Sequence, residues 1–246
     1  MYRFYIQENQ IGTEEIVITG GDVNHIKNVL RLEPGSWVVA CDGAGRDYVS
    51  RIRTVDVDQV ILQIEKVQAT GTELPVQITL FQGLPKKDKM ELIIQKAVEL
   101  GVYEIVPVRM KRCVAKLEEE KKIRKKLERW QAIAEAAAKQ CDRGIIPVVH
   151  APVTVEQAFD IAEGLEYNMI PYELQDGMEA SREIVSEACR HDTVGVFIGP
   201  EGGFEAEEVH RAIARQIHPL SLGKRILRTE TAGMALLSIM MFQLQE

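Results

Sequence analysis

The pattern of apolar and polar positions divides the chain into two regions with different rhythms. Over the first 70 residues, short β-rich runs alternate with turn residues at 42–45 and 56–58. A helix is predicted at about residues 22–32, because Val23, Ile26 and Leu30 recur on one apolar face. The predicted strands are residues 37–41, 47–55 and 59–67. Three or more strands of this kind favour a small β-barrel.

From residue 76 onward, predicted strands and helices alternate, which is the pattern of a parallel sheet in an α/β fold. Asp88 followed by Glu91 has the form of a capping box, and Gly101 is placed to end that helix. The predicted strands are residues 76–81, 103–108, 145–149, 167–172, 193–198 and 219–222. The predicted helices are residues 88–101, 117–141, 155–162 and 181–190. Residues 69–75 have the composition of a linker, so we expect one domain at residues 1–72 and a second at residues 73–246.

The final segment, residues 231–245, is apolar almost all round. A helix that is hydrophobic on every face must be buried on every face. We therefore expect it to lie in the protein core or in a subunit interface, with Met240 as the first residue to test for a subunit contact.

Composition narrows the class of protein. Of the 246 residues, 46% are hydrophobic and 27% are charged, which is ordinary for a globular protein. No apolar run reaches the roughly 20 residues of a membrane span, and the amino terminus lacks the layout of a signal peptide. The four cysteines are scattered, and no histidine cluster has metal-ligand spacing. We expect a cytoplasmic protein with free thiols, no membrane partner and no metal.

The charge distribution is uneven. The net charge is −7, yet residues 109–129 contain ten basic and four acidic residues. A second basic patch contains Lys86, Lys87 and Lys89. Local basic patches can bind RNA whatever the sign of the total charge. The alternative for the long helix at 117–141 is a solvated face of i,i+4 ion pairs.

The predicted helix at residues 22–32 carries a polar face of Asn24, Lys27, Asn28 and Arg31. A face without carboxylates can bind phosphates or base edges. A purely structural helix would show a more mixed-sign surface, so we favour RNA binding here.

Two glycine-bearing loops are the most informative feature of the chain. Residues 198–204 and 220–232 each follow an apolar strand-like run and each open a helix-like segment. In α/β proteins this arrangement builds a small-molecule site at the carboxyl ends of parallel strands. A phosphate cradle is the first alternative, but Glu201 would repel a phosphate and no P-loop pattern follows. Plain turn chemistry is the second alternative for the glycines.

These blocks resemble the SPOUT methyltransferases, and most closely the bacterial family that methylates N3 of a uridine in 16S ribosomal RNA. The resemblance extends upstream to residues 3–5, 29–32, 95–102, 129–130 and 136–141, so it covers nearly the whole chain. It implies a PUA-like barrel followed by a parallel sheet with a carboxyl-terminal trefoil knot. It also implies S-adenosylmethionine as the methyl donor, 16S rRNA or the small ribosomal subunit as partner, and a homodimer.

The resemblance assigns roles to particular residues. Arg228 is expected to stabilise the uridine anion, while Glu201 or Glu230 accepts the N3 proton or holds an arginine in place. The expected donor-binding residues are Ile198, Gly199, Pro200, Glu201, Gly202, Gly203, Leu220, Leu222, Gly223, Ile226, Leu227, Thr231 and Ala232. The expected RNA-binding residues are Arg3, Lys27, Asn28, Arg31, Lys86 and Lys87. For Arg3 the alternative is a strand-edge charge beside core Phe4.

Two other functions fit parts of the pattern. Other knotted families methylate the ribose 2′-hydroxyl of RNA. A non-catalytic RNA-binding factor for ribosome assembly could also retain a nucleotide pocket.

Overall fold

The computed structural model describes residues 1–114, 119–172 and 177–245. The chain forms two compact units. Unit 1 contains Met1–Glu73 and Ala138–Ile146, and unit 2 contains Leu74–Ala137 and Pro147–Glu246. The boundary predicted at residue 72 placed residues 138–146 in the second domain. In the structure this short segment packs with the first unit.

Unit 1 is built on a five-stranded sheet that curls around one apolar core, as the predicted barrel requires. Its strands are β1 (Tyr2–Tyr5), β2 (Glu15–Thr19), β3 (Trp37–Cys41), β4 (Arg46–Val55) and β5 (Gln59–Ala69). Their spatial order is β1-β3-β4-β5-β2. The pair β1–β3 is parallel and the other pairs are antiparallel. Alternate residues, such as Ile16, Ile18, Val38 and Leu62, point into the core and are fully buried.

The first helix of unit 1 is shorter and less regular than predicted. It begins as α1 (Gly21–Asn24) and continues as a π-helical turn over His25–Val29, in which the Leu30 amide donates to the His25 carbonyl. Arg31 then adopts a positive φ of 53°, which a helix cannot continue. The predicted end at Leu32 is therefore wrong. Val23 and Ile26 are buried, so the predicted apolar face is confirmed at these positions.

Glu73 anchors the segment 138–146 within unit 1. Its carboxylate accepts hydrogen bonds from the Arg143 side chain and from the Gly144 amide, the latter at 2.8 Å. Arg143 is 4% exposed, so this ion pair is largely removed from water. The Tyr5 hydroxyl donates to the Ala138 and Arg143 carbonyls. Strand β1 is thereby tied to a segment more than 130 residues away in sequence.

Unit 2 contains a parallel sheet, as predicted. Its strands are β6 (Gln77–Gly83), β7 (Glu104–Arg109), β8 (Val148–Val149), β9 (Val153–Thr154), β10 (Tyr167–Pro171), β11 (Thr193–Ile198) and β12 (Ile217–Leu220). The spatial order is β12-β10-β11-β6-β7-β8, and β9 pairs with β7. Every pair is parallel, so the carboxyl ends of β6, β10, β11 and β12 lie at one edge.

The helices of unit 2 are α2 (Lys89–Glu99), α3 (Glu120–Gln140), α4 (Val155–Ala162), α5 (Met178–Ala188), α6 (Ala206–Ala214) and α7 (Thr229–Leu244). Helices α4 and α6 pack into one buried cluster with the sheet. In this cluster Phe81 and Phe197, on neighbouring strands, stack at 4.3 Å, and Phe159 of α4 tilts against Phe197. Helix α2 packs along α7.

Three local predictions in unit 2 need correction. Asp88 precedes α2, but its side chain makes no capping hydrogen bond, because its backbone is not extended (φ −94°, ψ 10°). The predicted strand 145–149 is reduced to Val148–Val149, because Ile145 instead pairs with Ala44 in unit 1. Helix α3 begins at Glu120, and the first two residues of the predicted helix, 117 and 118, lie outside the described residues.

Helix α7 is buried on one side and exposed on another. A single chain therefore does not bury the helix on every face, contrary to what its apolar sequence alone would suggest. Leu236, Leu237 and Met240 are buried, whereas Phe242 is 82% exposed and Ile239 is 45% exposed. Met240 therefore belongs to the chain's own core and cannot test a subunit contact. The exposed apolar residues of α7 are the ones available to a partner.

After β12 the chain returns across the sheet edge. Residues 221–228 run from the edge strand to the start of α7, where Thr229 contacts Gly199 at the end of β11. Because β10 lies between β12 and β11, this return carries the chain past the end of β10.

Candidate active site

A pocket lies at the carboxyl edge of the parallel sheet, between the two loops singled out from the sequence. Eight of the predicted donor-binding residues line it: Ile198, Gly199, Gly203, Leu222, Gly223, Ile226, Leu227 and Ala232. Five do not: Pro200, Glu201, Gly202, Leu220 and Thr231. Six lining residues were not predicted: Pro171, Tyr172, Phe204, Ser221, Arg225 and Thr229. Pro171 ends β10 and Tyr172 follows it, so the rule that sites form at carboxyl ends of strands could have found them.

Glycines let both loops turn tightly against the pocket. Gly203 and Gly223 adopt positive φ angles of 68° and 107°, a conformation that side chains disfavour. The Gly203 amide donates to the Pro200 carbonyl at 2.9 Å, and the Gly223 amide to the Ser221 hydroxyl at 3.2 Å. A Cβ at Gly199 would lie 3.2 Å from the Phe204 ring, so this position has no room for a side chain.

A buried hydrogen-bond chain joins the first loop to α7. The Thr229 hydroxyl donates to the Gly199 carbonyl at 2.6 Å and accepts from the Gln82 side-chain amide at 2.9 Å. Gln82 is fully buried at the end of β6, where its amide also donates to the Gly83 carbonyl. Its side-chain oxygen is buried and has no hydrogen-bond partner among the described residues. Neither residue was predicted, because a single glutamine or threonine has no distinctive sequence signal.

Glu201 and Glu230 lie beside the pocket and share one lysine. The Lys89 ammonium is 3.0 Å from a carboxylate oxygen of Glu230 and 3.5 Å from one of Glu201. Glu201 also accepts a hydrogen bond from the Lys86 backbone amide at 3.0 Å. The sequence grouped Lys89 with a basic patch for RNA, whereas the structure pairs it with two carboxylates.

Both carboxylates have pKa values below the ordinary value. For Glu201, burial alone would raise the pKa, but backbone amides at Lys86 and Glu201 and the Lys89 charge lower it overall. For Glu230, burial again opposes the shift, and its own amide, Lys89 and Arg228 lower the pKa. Both side chains are therefore ionised at neutral pH. In this state each carboxylate accepts hydrogen bonds and is a weak base.

Gly202 faces away from the pocket. The Arg112 side chain donates to its carbonyl at 2.8 Å, and a Cβ at Gly202 would lie 3.0 Å from Cβ of Arg112. Gly202 was expected to bind the donor, and in the structure it lies against Arg112 and is not part of the pocket lining. Arg112 also pairs with Glu205 at 3.1 Å, so it fixes the loop from outside.

Arg228 is exposed at the start of α7. Its backbone is extended (φ −66°, ψ 155°), and its carbonyl accepts the Ala232 amide at 2.8 Å. The guanidinium therefore projects from a residue directly between Leu227 and Thr229, both of which line the pocket.

The predicted RNA-binding face in unit 1 is solvent-exposed. Lys27, Asn28 and Arg31 are all exposed. Asn28 donates to the Asn24 side chain at 2.7 Å, and Lys27 lies 3.5 Å from the Asp56 carbonyl. In unit 2, Lys86 and Lys87 are exposed on the turn before α2.

Arg3 does not belong to this group. Both of its terminal nitrogens donate to the Asp47 carboxylate, at 2.7 and 2.9 Å, and its side chain is only 13% exposed. A bidentate pair of this kind uses the donors that a phosphate would need. The expectation that Arg3 docks RNA is therefore corrected, and its role is to join β1 to β4.

The described residues contain neither a candidate metal site nor a candidate membrane-spanning helix. In residues 1–114, 119–172 and 177–245, no cluster of three or more histidine, cysteine or acidic side chains is placed to hold a metal ion. Within the same ranges, no helix combines the length and the apolar character needed to cross a membrane.

Comparison with known proteins agrees with this geometry. The chain matches an RNA methyltransferase domain over residues 72–241 and an RNA methyltransferase PUA domain over residues 18–65. Ribosomal RNA small subunit methyltransferase E of Bacillus subtilis (strain 168) is 34% identical, over 99% of this chain and 97% of that protein. The crystal structure of the enzyme of that name from Neisseria gonorrhoeae, bound to S-adenosyl methionine, matches with a TM-score of 0.81 and 30% identity, covering 99% and 98% of the two chains. The chain therefore belongs to the family of RNA methyltransferases that includes ribosomal RNA small subunit methyltransferase E.

Proposed function

We propose that this protein transfers a methyl group from S-adenosylmethionine to N3 of a uridine in 16S ribosomal RNA. The observation that carries the proposal is the pocket between the two glycine loops, with one arginine and two ionised carboxylates at its margin. Family membership and the donor bound to the Neisseria gonorrhoeae enzyme support the same reaction.

The pocket fits the proposed donor. Apolar side chains from both loops, among them Ile198, Leu222 and Leu227, offer a surface for a flat adenine ring. The tight glycine turns bring backbone polar groups to the pocket, where they can bind the edge of the ring and the amino acid end of the donor. When bound, S-adenosylmethionine supplies a methyl group already activated by the positive sulfonium, so the chain needs no metal for this step.

The chain's own contribution is to control the uridine N3 proton. The nitrogen becomes a nucleophile when this proton leaves, and negative charge then develops on the uracil oxygens. We assign Arg228 to stabilise that charge, because its permanently charged guanidinium can donate to a uracil oxygen and leave N3 open to the methyl group. Glu201 and Glu230 orient neighbouring groups or relay the proton to water, since their lowered pKa values make them poor at keeping it.

RNA recognition is assigned to exposed basic residues in each unit. Lys27 and Arg31 with Asn28 form one exposed surface in unit 1, and Lys86 and Lys87 form another in unit 2. The substrate is either free 16S rRNA or the assembled small subunit, in the cytoplasm. A homodimer is the proposed working unit, because the exposed Phe242 and Ile239 on α7 provide apolar surface for a two-fold contact.

The decisive experiment supplies methyl-labelled donor with free 16S rRNA and, in parallel, with small subunits that lack the modification. Mass spectrometry of the digested nucleosides then locates the methyl group. Label on the uracil base supports the proposal, and label on ribose supports 2′-O methylation instead. A protein that binds RNA but neither binds nor consumes the donor is a non-catalytic factor.

A pocket variant ties the activity to this site. Ala232→Leu adds three carbons to a residue that lines the pocket, so donor affinity should fall by at least about tenfold, the effect of overfilling a packed site. Thr231→Leu is the matched control, because Thr231 is adjacent and exposed but does not line the pocket. Equal donor binding by both variants, measured by calorimetry, would place the donor elsewhere.

A further inference from the structure

Lys89 joins three segments that are remote in sequence. It is the first residue of α2, Glu201 belongs to the loop after β11, and Glu230 lies in the first turn of α7. One ammonium reaches both carboxylates, at 3.0 Å for Glu230 and 3.5 Å for Glu201. The two glycine loops are thereby connected through a residue that belongs to neither.

This arrangement differs from an ordinary surface ion pair. Lys122 and Glu119, for example, are neighbours near the start of one helix, and their side chains are 70% and 67% exposed. Glu201 and Glu230 are 23% and 15% exposed, so water screens their contacts with Lys89 less. Two carboxylates this close to one cation would otherwise repel each other.

The carboxylates that Lys89 holds are next to pocket residues. Glu201 lies between Gly199 and Gly203, and Glu230 directly follows Thr229, and all three of these neighbours line the pocket. Lys89 itself does not line it. Its contacts with the site are the ion pairs to Glu201 and Glu230, so we expect it to act through the position and charge of these two residues.

We propose that Lys89 is a positioning residue for methyl transfer, which clamps Glu201 and Glu230 so that the two loops close around the donor in one fixed arrangement. The inference rests on the proposed function. It predicts that Lys89 matters more for the chemical step than for donor affinity, because small misplacements of reacting groups cost much more rate than binding.

The clamp also has a consequence for pH dependence. The Lys89 charge contributes to the lowered pKa values of both carboxylates. Without it, the pKa of at least one carboxylate rises, so that group becomes protonated at a higher pH. If both must be ionised for activity, the acid limb of the pH–rate profile moves to higher pH in a variant without the ammonium.

The test compares Lys89→Met and Lys89→Arg with the matched control Lys96→Met. Lys96 lies on the same helix, its side chain is 38% exposed against 32% for Lys89, and it pairs with Glu99 three residues along that helix. We expect Lys89→Met to lower kcat by about ten- to a hundredfold, to weaken donor binding by less than about fivefold, and to shift the acid limb upward. Lys89→Arg should restore most of kcat, and Lys96→Met should match the wild type.

A double-mutant cycle with Glu230→Gln completes the test. If the two residues act together, the combined loss in kcat is smaller than the product of the single losses. The inference is overturned by a Lys89→Met protein with wild-type kcat and pH profile, or by losses that are fully multiplicative. It is also overturned by a Lys89→Met protein that loses kcat, donor affinity and thermal stability in proportion. Wild-type protein that binds no S-adenosylmethionine and methylates no RNA would instead refute the proposed function.

Discussion

Replacing Thr229 by valine isolates the buried link between the donor loop and α7. The threonine hydroxyl donates to the Gly199 carbonyl and accepts from the Gln82 amide, and the residue is 5% exposed. Valine has nearly the same shape, so no cavity forms and packing is retained. What disappears is the pair of hydrogen bonds that fixes Gly199 at the wall of the pocket.

The magnitude follows from what each partner loses. The Gln82 amide keeps its bond to the Gly83 carbonyl, so only one of its contacts is lost. The Gly199 carbonyl loses a short hydrogen bond of 2.6 Å in a partly buried place. A buried group left without its partner costs about 1–3 kcal/mol, and one ordinary hydrogen bond about 1 kcal/mol. We expect the free energy of unfolding to fall by about 2–4 kcal/mol in total, and donor affinity to fall by about tenfold because the loop is no longer held in place.

Urea unfolding gives the stability change, and calorimetry with S-adenosylmethionine gives the affinity change. Thr231→Val is the control, since Thr231 lies two residues further along α7 and is exposed. Thr229→Ser retains a hydroxyl and should recover most of the lost affinity. The reasoning is refuted if Thr229→Val and Thr231→Val show the same stability and the same donor affinity.

Three further outcomes are expected. The double variant Lys27→Ala, Arg31→Ala should weaken RNA binding and leave donor binding unchanged. The slope of log affinity against log salt concentration should fall by about 1.5. An unchanged slope would mean that neither residue contacts phosphate. Phe242→Lys should shift the protein toward monomer in sedimentation. It should not unfold the chain, because this ring is 82% exposed within one chain. A variant that remains a dimer would show that the interface does not include Phe242. Glu104 and His150 form a pair at 2.7 Å that lowers the pKa of the carboxyl below 4.5 and raises that of the imidazole above 6.5. The ion pair therefore stabilises the folded protein fully at pH values between 4.5 and 6.5. This stabilisation is lost as the pH falls through the pKa of Glu104 or rises through the pKa of His150. Glu104→Gln should therefore destabilise the protein more at about pH 5.5 than at about pH 8.5, and equal effects in urea unfolding would contradict the assignment.

Elements that bury a regular apolar pattern were predictable from sequence. Helix α4 and strands β3 and β11 have the predicted bounds, because each carries a complete apolar run between clear turn residues. Strands β1 and β2 were missed, since each is defined by pairing with a strand distant in sequence. The π-helical turn was also out of reach, because the same apolar spacing suits an ordinary helix.

The site was predictable at the level of loops but not of individual side chains. The two glycine loops do enclose one pocket, since consecutive strand–loop–helix units place their loops at one edge of a parallel sheet. Arg3 was assigned to RNA from the family resemblance, and Lys89 was grouped with a basic patch, but the partner of each is a carboxylate distant in sequence. Sequence spacing carries no information about such long-range pairs. The same limit applies to Met240, whose burial depends on which side of α7 meets the core.

Unit 1 contains two stretches of the chain that are separated in sequence, so it can be complete only after both have been synthesised. Residues 1–73 leave the ribosome first, yet Glu73 and Tyr5 find their partners in the segment 138–146. The curled sheet must therefore wait, with a carboxylate and a hydroxyl still in water, until almost twice as much chain has been made. An isolated fragment ending near residue 73 would lack the segment that Glu73 and Tyr5 contact, so RNA-binding measurements on it would describe an incomplete unit 1.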